Sequence, residues 1–258
     1  AAPLRAQTDG ASRLSLERLF ASADFRGESA GAIRWADGTS FTRFEPAADG
    51  AGRDLVRVDA LTEAREVLLP AARMVPEGAT EPLPVESVTW SDDGRRVLLY
   101  TNSRRVWRAN TRGDYWVLDL DGGPPRQLGG DAPEASLMFA KFDPDGDRVA
   151  YVSEHDLYVE DVATGAITPL TTDGSETTIN GTFDWVYEEE FGLRDGFRWS
   201  LDGRHIAYWR LDASGVRDFL MINNTDSLYS YTIPVQYPKA GTTNSAAKVG
   251  VVPAAVGP

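Results

Sequence analysis

Asp184, Trp185, Val186, Tyr187, Glu188, Glu189 and Glu190 set three adjacent carboxylates behind three large side chains. Carboxylates that close repel one another unless water or a cation stands between them. On an extended strand Glu189 and Glu190 would point to opposite faces. On a helical turn neighbours diverge by about 100° and can flank one small cation. A short helix is therefore expected here, with Asp184 as its candidate N-cap. Two chemistries fit such a helix: its acids could hold a cationic group, or they could sit near the positive end of the helix with solvent screening their repulsion.

Arg104, Arg105 and Arg108 cluster around Trp107, after a run ending at Tyr100. A solvated basic loop, with Asp114 as a candidate partner, is the ordinary explanation. A guanidinium also presents five donors in a fixed fork, which suits peptide carbonyls or the orientation of an acidic pair. Gly27, Glu28, Ser29, Ala30 and Gly31 spell a G-x-S-x-G nucleophile elbow. The elbow must follow a buried strand and open a helix. Here Asp24, Phe25 and Arg26 come before it, and Ile33, Arg34 and Trp35 run on into a hairpin turn, so an esterase acting through Ser29 is the weakest reading. Asn180, Gly181, Thr182 and Asn223, Asn224, Thr225 have the form of glycosylation sequons, which matter only in a eukaryotic secretory pathway. Tyr237, Pro238, Lys239, Ala240 and Gly241 read locally as a turn between strands.

The elements that must position these residues are announced by a repeat. An aromatic residue followed by Asp-Gly recurs at Trp35–Gly38, Trp90–Gly94, Phe142–Gly146 and Trp199–Gly203, the glycines standing 56, 52 and 57 residues apart. Asp-Gly joins two strands in a tight turn, because Asp can bond its own backbone and Gly accepts positive φ. The aromatic should pack inward just before it. Strand-like runs follow at Arg96–Tyr100, Arg148–Val152 and His205–Trp209, then at 115–120 and 157–161. Turns at Asp121–Gly123 and Ala163–Gly165 lead to a fourth strand in each repeat. Four antiparallel strands per repeat of about 50 residues, with very little helix, define an all-β fold of the β-propeller type. Residues 1 to about 13 are expected to be a loose leader, and Ser15 to cap a short helix whose Leu16, Leu19 and Phe20 dock on the core.

The chain of 258 residues is 42% hydrophobic and 25% charged, a globular composition, and its net charge is −13. That charge argues against nucleic acid or an anionic membrane as partner and favours a cationic ligand group. No cysteine is present, and His155 and His205 lie about fifty positions apart, so neither a thiolate nor a histidine-rich metal site is expected. No apolar run reaches the ~20 residues of a membrane span. The start at Ala1, Ala2, Pro3 is that of a protein cleaved behind small residues, so a periplasmic or secreted location is expected.

The acidic and aromatic string at 184–190, followed by the 237–241 string, resembles the β-propeller domain of the dipeptidyl peptidase IV group of the prolyl oligopeptidase family of serine exopeptidases. The family's propeller has eight blades, which implies a leader with a short helix over 1–30 and a partial propeller of about four blades over 31–258. The resemblance implies that Glu189 and Glu190 hold the free α-amino group of a peptide substrate, and that Arg108, in the matching Trp-Arg pair, reaches into the substrate cavity. Glu188 fits less well and would face solvent or backbone. The catalytic Ser, Asp and His would lie in an α/β-hydrolase domain outside this stretch, so the chain alone should bind an N-terminus without hydrolysing it. Release of Xaa-Pro or Xaa-Ala dipeptides, a homodimer and no cofactor are further implications. The strand begun at Lys248–Val252 stops at Pro253 where another blade would follow, a departure from the family. A protein-binding propeller without catalysis is the alternative.

Overall fold

A computed structural model describes residues 14–27 and 31–255; Ser29 and the leader lie outside the described residues. The chain divides into two units, one of residues 1–45 and 55–68, the other of residues 46–54 and 69–258.

In the first unit Ser15 caps α1 (Leu16–Phe20), its hydroxyl accepting from the Arg18 amide. The expected docking does not occur: no α1 residue is buried, and Phe20 is 80% exposed. A single turn is too short to build a continuous apolar face, and Arg18 turns to its neighbours instead, donating to Asp24 at 2.7 Å and lying over the Phe25 ring. The strands β1 (Arg34–Trp35), β2 (Ser40–Pro46), β3 (Arg53–Asp59) and β4 (Arg65–Leu69) pair in sequence order. Trp35 is 64% exposed and makes a T-shaped contact with Phe41, so the inward packing expected of the repeat aromatic fails here. Trp90, Phe142 and Trp199 are part-buried in their repeats.

The second unit contains two complete repeats, β5 (Ser87–Trp90), β6 (Arg96–Arg105), β7 (Asn110–Asp119) and β8 (Arg126–Gln127), then β9 (Leu137–Phe142), β10 (Arg148–Ser153), β11 (Asp156–Asp161) and β12 (Ile167–Pro169). Pairing is antiparallel throughout, and β7 also pairs with β9 at Arg112–Met138 and Gly113–Leu137. The Asp-Gly turns form as their chemistry requires. Gly94, Gly146 and Gly203 have φ of +70°, +76° and +65°, and Asp93 and Asp202 accept from the amides of Arg95 and Arg204. The core lies between successive repeats, and both faces of a middle sheet are covered: Val149 and Tyr151 pack with Leu98 and Val117 of the preceding repeat, while Ala150 and Val152 pack with Phe197 and Ile206 of the following one. Each turn is also tied to the next. Arg96 donates to the Gly146 carbonyl at 2.7 Å, and Arg148 donates to the Gly203 carbonyl at 2.6 Å.

The last repeat departs from the simple pattern. β13 (Thr178–Asn180) and, after α2 (Trp185–Phe191), β14 (Phe197–Trp199) lie end to end along one edge of β15 (His205–Asp212). The chain then leaves the sheet as a separate hairpin, β16 (Asp218–Asn223) with β17 (Tyr231–Gln236), and returns as β18 (Ala246–Pro253) along the other edge of β15. The strand expected at Lys248–Val252 is thus the third strand of this repeat. Asn180 is fully buried, its amide donating to Asp156 and Asp173, which removes it as a glycan acceptor. Among the described residues no helix is long and apolar enough to cross a membrane.

Candidate functional site

α2 sits inside an interrupted strand. Between β13 and β14 the chain makes an excursion whose neck is closed by hydrogen bonds from Gly181 N to Trp209 O, Trp209 N to Gly196 O and Gly196 N to Gly181 O, at 2.8, 2.8 and 2.9 Å. Both neck positions require glycine. Gly181 has φ of +75°, and a Cβ there would stand 2.4 Å from Leu157 Cδ1; a Cβ on Gly196 would meet the Gly181 carbonyl.

The excursion folds as a seven-residue helix because both its ends are capped. Asp184 Oδ1 accepts from Tyr187 N at 3.0 Å, and Gly192, at φ +66°, donates its N–H to Glu188 O. Phe183 stacks on Tyr187 and tilts against Trp209, fixing the apolar side of the helix over the sheet. The expected helix and cap are thus observed.

The three acids have three different surroundings. Glu188 is buried and accepts from Arg194 Nε at 2.9 Å, which corrects the expectation that it faces solvent or backbone. The turn after Gly192 carries Arg194 back under the helix, and a carboxylate this buried needs such a partner. Glu189, 11% exposed, receives Arg108 Nε at 2.6 Å from Oε2 and 2.8 Å from Oε1. Glu190 is exposed and makes no ion pair or side-chain hydrogen bond among the described residues.

Arg108 arrives from 81 positions earlier, at the tip of the β6–β7 hairpin. These strands run ten residues each, against six for β10 and β11, and the extra length carries the tip to α2. Asn102, at φ +49°, holds the base of the extension by donating to Asp114 at 2.8 Å and Glu134 at 2.7 Å, while Ser103 donates to Glu86. Asp114 is therefore taken by Asn102 and the Ala135 amide, not by the arginine cluster. Arg105 donates to the Trp107 carbonyl, and the Arg108 side chain remains 75% exposed.

Among the described residues the site thus offers one carboxylate already paired with a guanidinium, a second without an ion pair next to it in sequence, and guanidinium donors not used by the first. It suits a small cation with several N–H donors attached to a group bearing a carbonyl. Among the described residues no group of three or more His, Cys, Asp or Glu could hold a metal ion. Sequence reasoning brought Glu189, Glu190 and Arg108 forward; the structure pairs Arg108 with Glu189, and Glu190 follows Glu189 on the same helix. It missed Arg194, Ser245, whose hydroxyl donates to Asp184 Oδ2, and the contact of Trp185 with Tyr237, whose ring centroids lie 4.6 Å apart. The Tyr237–Gly241 string was the one available signal for that contact.

Residues 91–257 match the family model of the dipeptidyl peptidase IV N-terminal region. Dipeptidyl aminopeptidase B of Saccharomyces cerevisiae is 33% identical over 174 residues, which cover 66% of this chain and 21% of that protein. Probable dipeptidyl-aminopeptidase B of Arthroderma benhamiae is 32% identical over 176 residues, 64% of this chain and 19% of that protein. The crystal structure of Porphyromonas gingivalis dipeptidyl peptidase 4 superposes with a TM-score of 0.76 at 27% identity, over 92% of this chain and 33% of that one. The chain therefore spans about a fifth of the length of these curated relatives.

Proposed function

This chain belongs to the dipeptidyl peptidase IV family, through that family's N-terminal region, and from this premise we propose that it is the substrate-anchoring part of a serine exopeptidase that releases N-terminal Xaa-Pro or Xaa-Ala dipeptides. The observation that carries the proposal is the pairing of Glu189 with Arg108 next to an exposed Glu190 that has no ion pair among the described residues.

A substrate α-ammonium has three donors, and two carboxylates can each accept a charge-assisted bond from it. Glu190 supplies the uncompensated negative charge. Glu189, with its charge shared by Arg108, supplies a second acceptor in a fixed place. The remaining guanidinium donors are free to take the carbonyl oxygen of the first residue. With its amine pinned, the peptide presents its second peptide bond to a nucleophile at a set distance, so the product is a dipeptide. The glutamates measure length and transfer no proton. Acyl transfer itself, by a serine with its histidine and an oxyanion hole, belongs to the hydrolase domain of the full-length protein.

The test is Glu190→Ala in the full-length enzyme. Truncating one partner of a desolvated charge pair costs roughly 2 to 5 kcal/mol, so kcat/KM for a Xaa-Pro anilide should fall about thirtyfold to several thousandfold. Near-normal turnover would overturn the anchoring role. An N-acetylated peptide should bind poorly at every pH, and because a free α-amine titrates near ~8, KM should rise on the alkaline side of that value.

The full-length protein is also proposed to be an exported homodimer. The β16–β17 hairpin supports the dimer: a lone two-stranded sheet is marginal in water, yet Phe219, Leu220, Met221, Ile222 and Tyr231 on it are exposed. Sedimentation of the parent against a Leu220→Glu, Ile222→Glu variant should show a dimer replaced by a monomer.

A further inference from the structure

The segment between β17 and β18 closes on the first turn of α2 at two points. Tyr237 lays its ring against Trp185, centroids 4.6 Å apart and planes at 42°. Ser245 donates its hydroxyl to Asp184 Oδ2, and both of these side chains are buried. Asp184 thus spends one oxygen on capping the helix and the other on holding it to a segment about sixty positions later.

That segment is itself fixed. Tyr237 N–H donates to Arg217 O at 3.2 Å, Gln236 Nε2 to Ala213 O at 3.0 Å, and a turn at Gly241, with φ of +84°, is closed by Thr242 N–H to Lys239 O at 2.9 Å. A helix of seven residues has no orientation of its own, since isolated helices of that length do not persist in water. Its direction and rotation are set by what grips it. Trp185 and Glu189 stand four positions apart, hence on the same face, so any roll of the helix that frees Trp185 carries Glu189 away from Arg108 and turns Glu190 with it.

We propose that Tyr237 and Ser245 are positioning residues for substrate recognition: they hold α2 at the rotation in which Glu189 and Glu190 converge on one ammonium. This rests on the amine-anchoring reading given above. It assigns a role to the Tyr237–Gly241 string beyond that of a turn, and it explains why two strings far apart in sequence form one site.

The experiment uses the full-length enzyme with Tyr237→Leu, Tyr237→Phe, Ser245→Ala and Glu190→Ala. Two readouts separate positioning from general integrity: KM and kcat for glycyl-prolyl p-nitroanilide, and the rate at which a fluorophosphonate, which carries no amine, labels the nucleophilic serine. Tyr237→Leu and Ser245→Ala should raise KM about five- to twentyfold with kcat and labelling within about twofold of the parent, while Tyr237→Phe, which keeps the ring, stays at the parent values. Unchanged KM in both variants overturns the proposal, as does a loss of labelling in step with the rise in KM. If Glu190→Ala raises KM while Tyr237→Leu and Ser245→Ala do not, positioning falls and anchoring stands. If Glu190→Ala also leaves KM unchanged, both fall.

Discussion

At the scale of single residues, the rotation of α2 gives three neighbouring acids three different surroundings. Three consecutive glutamates look alike in the chain, yet one is buried, one is paired and one is exposed, because helix rotation decides which faces the sheet. The partner of Glu188 had no sequence signal, since Arg194 lies beyond the capping glycine, where helical spacing no longer applies. Arg194→Met should therefore destabilise the protein by about 1–3 kcal/mol, the cost of leaving a buried carboxylate short of its donor, seen as a lower urea midpoint. An unchanged midpoint would mean that water replaces the guanidinium. A second expectation concerns alkaline pH. Burial, reinforced by Glu86 and Asp114, pushes Tyr100 up to about 12, and burial holds Tyr115 and Tyr151 well above the ordinary tyrosine value. The unfolded chain ionises these groups near ~10 while the folded chain keeps its protons, so stability should be indifferent to them below about pH 10 and fall from there toward 12. Tyr151→Phe should flatten that fall, measured as the urea midpoint against pH.

At the scale of elements, the Asp-Gly repeat made the strands of β5–β12 legible, since both turn chemistry and β-rich runs point the same way there. It could not reveal that the first strand of the last repeat is split. β13 and β14 have three residues each, too few to show alternation, and the residues between them read as a helix in their own right. Nor could it show the detour through β16 and β17, which separates β15 from its partner β18 by more than thirty residues. The split is what places acids on a helix at a strand edge, and its neck is the element most sensitive to change. Gly181→Ala would force a side chain into positive φ and against Leu157 and Val152 together. Strain and overpacking of this kind cost roughly 1–3 kcal/mol each, so a loss of about 3 kcal/mol is expected by thermal or urea unfolding. Because the neck feeds directly into α2, KM should rise as well. A variant of parental stability and KM would show that the neck widens freely.

At the scale of the whole molecule, a partial propeller holds only if each repeat is bound to the next, because a four-stranded sheet buries its faces against its neighbours rather than within itself. Apolar packing does most of this, but the arginines after two of the turns add directed links. Arg96 and Arg148 reach the turn carbonyls of the following repeat in the same way, yet their supports differ. Arg148 also pairs with Asp143, whose side chain is 1% exposed, and donates to the Ala254 carbonyl beyond β18. Arg96 pairs with Asp119 and Asp147, both well exposed. Removing one partner of a buried pair costs about 3–5 kcal/mol, whereas an exposed pair contributes about 0–1 kcal/mol. Arg148→Ala should thus destabilise far more than Arg96→Ala, by urea unfolding of the full-length protein. If the burial of Asp143 is the cause, Asp143→Asn combined with Arg148→Ala should recover part of the loss, because the stranded charge is gone. Equal losses in the two single variants would instead assign the link to the turn carbonyls alone, which the two arginines contact alike.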